Sequence, residues 1–440
     1  MSDELALLGQ FKKYVAQTIV AKNIAFGCQL ISMVFMARWF GPEVLGIVAM
    51  INFFIILTQM VGISALEPAF ISIGVKENYA RLNRICQYAA LIYCLAFFTL
   101  TNIFFYFDNE ALLLPTIFFS LALYIYIRAT LATALLKESK KFVHYPLLET
   151  VVDGVLLLFL FLTKNVVASV LLLSIRYFLS SLLKYFFLLW YVDDKNNSQA
   201  EFKNETEKKA FTNPLKKFFG YQSFFNLVSH VARNIDILII NMFFEKTIVG
   251  LYDNALKLCR YPAFFIVSGL QPVIQPLVKN EKNLYAVIDV YRKLTIVLGI
   301  LSITVAVLIS HYSYNIINSL FGEKWVKSSE ILSVLAFIIV PQMLNVTAGF
   351  IQGRDRPELL PAIGSFTLGS FVVCIGFSYA YSSTLTGIIY GVVAANYISY
   401  FYSNFILYSR LFGLSYVYFF KLIVILGCYL FLFTLFLRGF

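Results

Sequence analysis

Runs of about twenty apolar residues, the length a helix needs to cross a hydrocarbon core about 30 Å thick, recur from one end of this chain to the other. Thirteen are read, at approximately 14–38, 44–66, 85–107, 111–136, 145–163, 166–192, 218–244, 248–278, 294–313, 328–351, 359–381, 385–408 and 416–437. Leu, Ile, Phe and Val fill them without the two-residue alternation of a barrel strand, so the expected fold is an all-α polytopic membrane protein. A 60% hydrophobic chain of mean hydropathy +0.78 excludes an ordinary water-soluble globule.

The opening stretch "MSDELALLGQFKKYVAQ" has neither a short apolar core nor a small-residue cleavage site, so the first segment is expected to be a retained helix. Connections alternate between rich and poor in Lys and Arg. The rich set includes Lys12, Lys13, Lys76, Arg81, Arg84, Lys137, Lys140, Lys141, Lys279, Lys282, Arg354 and Arg356, and it predicts the cytoplasmic side, with the N-terminus inside. The net charge of +11 then reflects topology and anionic lipid heads, and no nucleic-acid partner is expected. The six cysteines lie in or beside apolar segments without paired spacing, which suits packing and not disulfides or zinc.

One long polar stretch, residues 193–217, mixes both charge signs and reads as a cytoplasmic linker. It divides the chain into a six-helix lobe at 1–192 and a second at 218–410, with an appended helix at 411–440. A shift of 204 residues lays one lobe on the other. It carries Lys12-Lys13 onto Lys216-Lys217, Phe40 onto Phe244, Gly46 onto Gly250, and "SALEP" (Ser64 to Pro68) onto "SGLQP" (Ser268 to Pro272) without a gap. An even number of spans per lobe makes the repeats parallel, related by a pseudo-twofold axis along the membrane normal.

The stretch "NLVSHVARNIDILIINMFF" is apolar apart from a polar stripe. At 100° per residue, Gln222, Asn226, Ser229, His230, Arg233 and Asp236 share an arc of roughly 120°. The shift places four of these positions on Thr18, Lys22, Ala25 and Gln29 in the first helix. Asn and Ser at such positions serve as interhelical glue as readily as they line a cavity. A charge at mid-membrane costs about 2.5–3.5 kcal/mol, which favours an aqueous cavity around Lys22 and Arg233. Asp236 is open to two roles: ion-pair partner of Arg233, or cavity carboxylate. Arg128, Arg176, Lys257 and Arg260 extend the cationic inventory, and Glu149, Asp153 and Asp253 the acidic one. Arg128 and Lys257 also have the length to snorkel to a surface. Basic groups outnumber acidic ones, so a cavity lined by them suits an anionic ligand, with the carboxylates neutralising charge or binding a coupling ion.

Three stretches carry a resemblance: "ARWFGPEVLGIVAMINFFIILTQMVGISALEPAFI", "ALLKESKKFVHYPLLETVVD" and "VGLYDNALKLCRYP". With the double six-helix plan, they resemble the polysaccharide-transporter branch of the multidrug/oligosaccharidyl-lipid/polysaccharide exporters, and within it bacterial O-antigen and capsule-repeat flippases. Their "GPExxG" and "YDxAxxLxxYP" patterns are packing and turn patterns, so they identify the superfamily better than the cargo. The resemblance implies translocation of an undecaprenyl-pyrophosphate-linked oligosaccharide across the bacterial inner membrane by alternating access, coupled to proton or sodium influx and without a bound cofactor. It implies membrane lipids as partners, together with the polysaccharide polymerase and chain-length machinery.

Under that resemblance Lys22, Arg128, Arg176, Arg233, Lys257 and Arg260 contact the pyrophosphate, and Glu149, Asp153, Asp236 and Asp253 are the ion-coupling candidates. Two rivals stay open. A drug:cation antiporter of the same superfamily calls for an acid-dominated cavity. A membrane enzyme of polysaccharide assembly calls for a sizeable extramembrane loop, whereas the outer connections here are mostly shorter than about 15 residues. No phosphate-binding Gly-rich loop, metal-ligand spacing or nucleophile motif is found, so the protein is expected not to be an enzyme.

Overall fold

The computed structural model describes residues 20, 24, 26–75, 77–107, 112–138, 144–163, 169–191, 205–217, 223–280, 283–354, 356–414 and 417–438. Helix is found within each of the expected spans among the described residues; residues 14–19 of the first span and 218–222 of the seventh lie outside them. The chain separates into two compact units, Met1–His230 and Val231–Phe440.

In the first unit, α1 (26–39) ends at a bend at Phe40. Gly41 is extended, and Pro42 opens α2 (Pro42–Thr58), where its missing N–H costs nothing and its fixed φ suits the first turn. α2 continues through a π-helical turn, Gln59–Ile63, into α3 (Ser64–Ile73). Then follow α4 (Tyr79–Phe107), α5 (Leu113–Glu138), α6 (His144–Thr163) and α7 (Ser169–Tyr191). α5 is the central element, packed against α3, α4 and α7, and α6 lies along α7. Ala129, Ala132, Leu136 and Leu188 form a buried cluster at one end of the α5–α7 contact. Phe40, Leu160, Leu172 and Leu173 form another under the bend.

Part of the stretch expected to be a linker is ordered as α8 (Glu205–Lys217), which packs on α3. Its charged residues Glu205, Lys208 and Lys209 are exposed while Phe211 is buried, in a helix too polar to be recognised by apolar content.

The second unit begins within α9 (Ser223–Phe243), bends at Phe244, and continues as α10 (Lys246–Asn280). The bends at Phe40 and Phe244 stand 204 residues apart, so the duplication is visible in helix limits as well as in letters. α11 (Leu284–His311) starts ten residues before the apolar run at Leu294, capped by Asn283, whose side chain accepts from Tyr285 N–H at 3.0 Å. A short α12 (Ser313–Phe321), unforeseen from the sequence, precedes a 3-10 turn at Glu323–Trp325.

The span expected at 328–351 is discontinuous: α13 (Ser328–Leu335), a 3-10 turn at Ala336–Ile338, α14 (Ile339–Leu344), and, after Asn345 and Val346, α15 (Thr347–Gly353). Pro341 cannot donate to an i−4 carbonyl, and its ring clashes with that carbonyl, which accounts for the tightened turn just before it. α16 (Leu360–Ser382) and α17 (Leu385–Ile406) form a close hairpin, and a π-helical turn, Leu407–Leu411, ends α17. α18 (Val417–Arg438) lies on α11, where Leu426 covers Gly299 and the Tyr429 and Thr304 hydroxyls meet at 2.7 Å.

Among the described residues, six helical stretches are long and apolar enough to cross a membrane: Tyr79–Phe105, Leu113–Leu136, Val170–Trp190, Leu284–His311, Ser328–Ile351 and Leu360–Ser382. The protein is a multi-pass, all-α membrane protein.

Candidate functional site

In the first unit the chemistry is concentrated on the antiparallel α6–α7 pair. Asp153 and Arg176 face each other at 3.7 Å, and Glu149 and Lys184 at 3.5 Å. The acids are four residues apart and so share one face of α6. Both Asp153 and Arg176 keep only 14% of their side-chain surface exposed. The Arg176 contact uses Nη2, and its Nε is buried with no acceptor among the described residues. This leaves a cationic donor in an apolar setting, available to a further anionic oxygen. Tyr177, the next residue, packs its ring at a tilt against Phe119 of α5, with centroids 5.3 Å apart.

Among the described residues, Arg128 makes no ion pair with a carboxylate. Its Nη1 donates instead to the Asn83 carbonyl of α4 at 3.2 Å, so it ties α5 to α4. His230, on the polar stripe of α9, is buried and packs its ring 5.5 Å from Phe53 of α2. Lys22 lies outside the described residues, and Arg233 is described only through the helical backbone of α9.

In the second unit the chemistry lies on the α9–α10 hairpin. Asp236 is fully buried. It accepts from the Tyr252 hydroxyl at 2.5 Å and from the Ile237 N–H at 2.9 Å. Arg260 donates Nη1 to Asn234 Oδ1 at 2.9 Å. One turn away, Lys257 and Asp253 pair at 2.5 Å along α10. The described partners of Asp236 therefore come from α10 and from its own backbone.

The structure thus brings together Asp153 with Arg176 and Asp253 with Lys257, places the Arg260 contact on Asn234, two residues before Asp236, and sets Arg128 on the Asn83 carbonyl. Sequence reasoning missed Lys184, Asn234 and Tyr252. For Lys184 a signal existed: two acids on one face of α6 require bases on the neighbouring helix, and Arg176 and Lys184 are the charged residues of α7. Tyr252 lies inside the "YDxAxxLxxYP" stretch, where it reads as packing. Nothing in the sequence marks it out from 28 tyrosines.

Solved structures share this architecture. The chain is similar to an inward-facing multidrug resistance MATE family transporter of the MOP superfamily, with TM-score 0.69 and 13% identity over 88% of this chain and 96% of that one. It is also similar to a MOP superfamily transporter from Pyrococcus furiosus, described as having a binding pocket of reverse polarity that suggests a different function, with TM-score 0.65 and 12% identity over 90% of this chain and 95% of that one. A Vibrio cholerae MATE transporter gives TM-score 0.63 at 12% identity over 94% and 99%. At these identities the likeness establishes the fold.

Among curated proteins, the teichuronic acid biosynthesis protein TuaB of Bacillus subtilis (strain 168) is 27% identical over 150 residues, which span 33% of this chain and 31% of that protein. Residues 35–330 match the family described as polysaccharide biosynthesis protein. That match runs from α1 to α13, through both charged hairpins, and on its extent the chain belongs to the polysaccharide biosynthesis protein family.

Proposed function

We propose that this protein carries a lipid-pyrophosphate-linked oligosaccharide, a repeat unit of an O-antigen or similar surface polysaccharide, from one leaflet of the bacterial inner membrane to the other, with its N-terminus cytoplasmic. Family membership supports a role in polysaccharide assembly, and the transporter fold supports movement across the bilayer. The lipid tail can stay in hydrocarbon while only the polar head crosses, so the protein must lower the cost of moving phosphates and hydroxyls through an apolar layer.

The observation that carries this reading is Arg176. Its guanidinium is held in α7 by a 3.7 Å contact to Asp153 while Nε has no acceptor among the described residues. A pyrophosphate oxygen is a stronger competitor for a guanidinium than a single carboxylate at that distance. Binding the head group would uncover Asp153, and an uncovered carboxylate in a dry setting takes up a cation, either a proton or sodium. Asp236 is the second candidate for the coupling ion. Lys22 and Arg233, one from the first helix of each repeat, are assigned to the head group as well.

The test uses purified protein in liposomes, with a lipid-pyrophosphate oligosaccharide in one leaflet and its appearance in the other followed with and without a proton or sodium gradient. Movement that slows in Arg176→Gln, Lys22→Gln and Arg233→Gln variants is the expected result. No movement of this lipid, together with gradient-driven efflux of small organic cations, would replace the reading with a drug:cation antiporter.

A further inference from the structure

At one end of the second unit, four aromatic rings from three separate elements close into a knot. Tyr291 of α11 meets Phe350 of α15 at 4.9 Å, Phe412 at 5.8 Å and Tyr408 at 6.0 Å between ring centroids. Tyr408 lies in the π-helical turn that ends α17, where Phe412 N–H reaches Leu407 O at 3.0 Å. π-Helical turns widen a helix locally and recur at functional positions. Three arginines adjoin the residues of this knot in sequence. Arg292 follows Tyr291 in α11. Arg410 is exposed two residues after Tyr408. Arg354 lies one turn beyond Phe350, its N–H still bonded to Phe350 O at 3.2 Å.

Arg354 is the anomaly. Its Nε and Nη2 are both buried, and neither has an acceptor among the described residues. Those two nitrogens form the side-on fork that takes two oxygens of one phosphate or carboxylate. Among the described residues, Glu358 pairs with Arg356 at 2.5 Å and Asp289 with Lys293 at 2.8 Å. The depth also fits. α11 is about 42 Å long by helix rise, longer than a hydrocarbon core of about 30 Å and comparable to a bilayer with its head groups. Its apolar run begins at Leu294, and the apolar span through α15 ends at Ile351. Arg292 and Arg354 therefore lie at the edge of the hydrocarbon, where lipid phosphates are.

We propose that the Arg354 fork, at the end of the unit where Arg292 and Arg410 neighbour the knot's tyrosines in sequence, is a binding site for the phosphate diester of an anionic membrane lipid, separate from the charged hairpins assigned to transport. An aromatic floor with an arginine fork at phosphate depth fits a lipid whose acyl chains lie along the helices.

The test is native mass spectrometry of the full-length protein with phosphatidylglycerol, phosphatidylcholine or inorganic phosphate, combined with photo-crosslinking by a phosphatidylglycerol probe. The expected result is retention of phosphatidylglycerol over phosphatidylcholine, a crosslink within residues 347–360, and binding about tenfold weaker in Arg354→Gln. Arg354→Lys should lose most of the binding too, since it keeps charge but not the fork, while Arg356→Gln should leave it unchanged. If Arg354→Gln does not yield folded protein, the crosslink in the natural protein decides. Equal retention of both lipids, a crosslink elsewhere, or binding of inorganic phosphate equal to that of the lipid would overturn the proposal.

Discussion

Tyr252 donates its hydroxyl hydrogen to Asp236 over 2.5 Å, joining α10 to α9 at a point shut off from solvent. A hydrogen bond to a charged group contributes roughly 1.5–3 kcal/mol, and removing the donor leaves the carboxylate dependent on one backbone N–H. Tyr252→Phe is expected to lower the unfolding temperature of the detergent-purified protein. Asp236→Asn keeps an oxygen that accepts from Tyr252 while removing the charge, so it should be milder in a thermal melt. A Tyr252→Phe protein as stable as the natural one would show that the contact contributes nothing to holding the hairpin.

This contact also shows where the two repeats part. Moving back by 204 residues puts Asp236 on Ser32, Tyr252 on Val48 and Arg260 on Ile56. Helix limits survived the duplication and the polar network did not. The limits were readable because about twenty apolar residues per crossing is a demand of the bilayer, met by composition alone. Gly41 and Pro42 mark the break after Phe40 in the sequence, whereas the break after Phe244 is followed by Glu245 and Lys246, so only the first copy carries a readable breaker. Pairings were less readable, since whether Arg176 meets Asp153 or some other acid depends on the rotation of α7 against α6. α8 was not legible as a packed helix because Phe211 is the one buried side chain among its described ones, in a charged sequence. The breaks around α14 were hidden inside an unbroken apolar run, with Pro341 the one hint.

The Glu149 and Lys184 contact at 3.5 Å tests whether the α6–α7 pair needs matched charges. Lys184→Met should destabilise the protein by leaving Glu149 without its base, and Glu149→Gln should do so by the converse. The double variant should recover most of either loss, because removing both partners of an ion pair in an apolar setting is far milder than removing one. A double-mutant cycle on thermal stability measures this. Strictly additive losses would mean that the two side chains act independently.

Gly391 sets the closeness of α16 and α17. A Cβ built there would lie 2.8 Å from the Cys374 carbonyl oxygen and 2.9 Å from Ile375 Cα, both backbone atoms that cannot swing away. Small residues let membrane helices approach in this way. Gly391→Val is expected to cost about 1–3 kcal/mol by overpacking, read as a lower melting temperature and reduced membrane levels. Gly376→Val on α16, where a Cβ meets nothing within 4 Å, is the control and should behave like the natural protein.

The pairing of Asp153 with Arg176 gives the sharpest functional expectation, because under the proposed exchange the two substitutions move transport in different ways. Arg176→Gln removes the donor that meets the pyrophosphate, so head-group binding weakens and flipping slows with or without a gradient. Asp153→Asn instead frees Arg176 from its competitor. Affinity for the lipid-pyrophosphate head should rise, while the response to an imposed proton or sodium gradient is lost, since no carboxylate is uncovered on binding. Measuring head-group binding and gradient response on the same two variants separates this exchange from a purely structural ion pair. A structural pair predicts that both variants lose stability, with affinity and gradient response falling together and neither rising in Asp153→Asn.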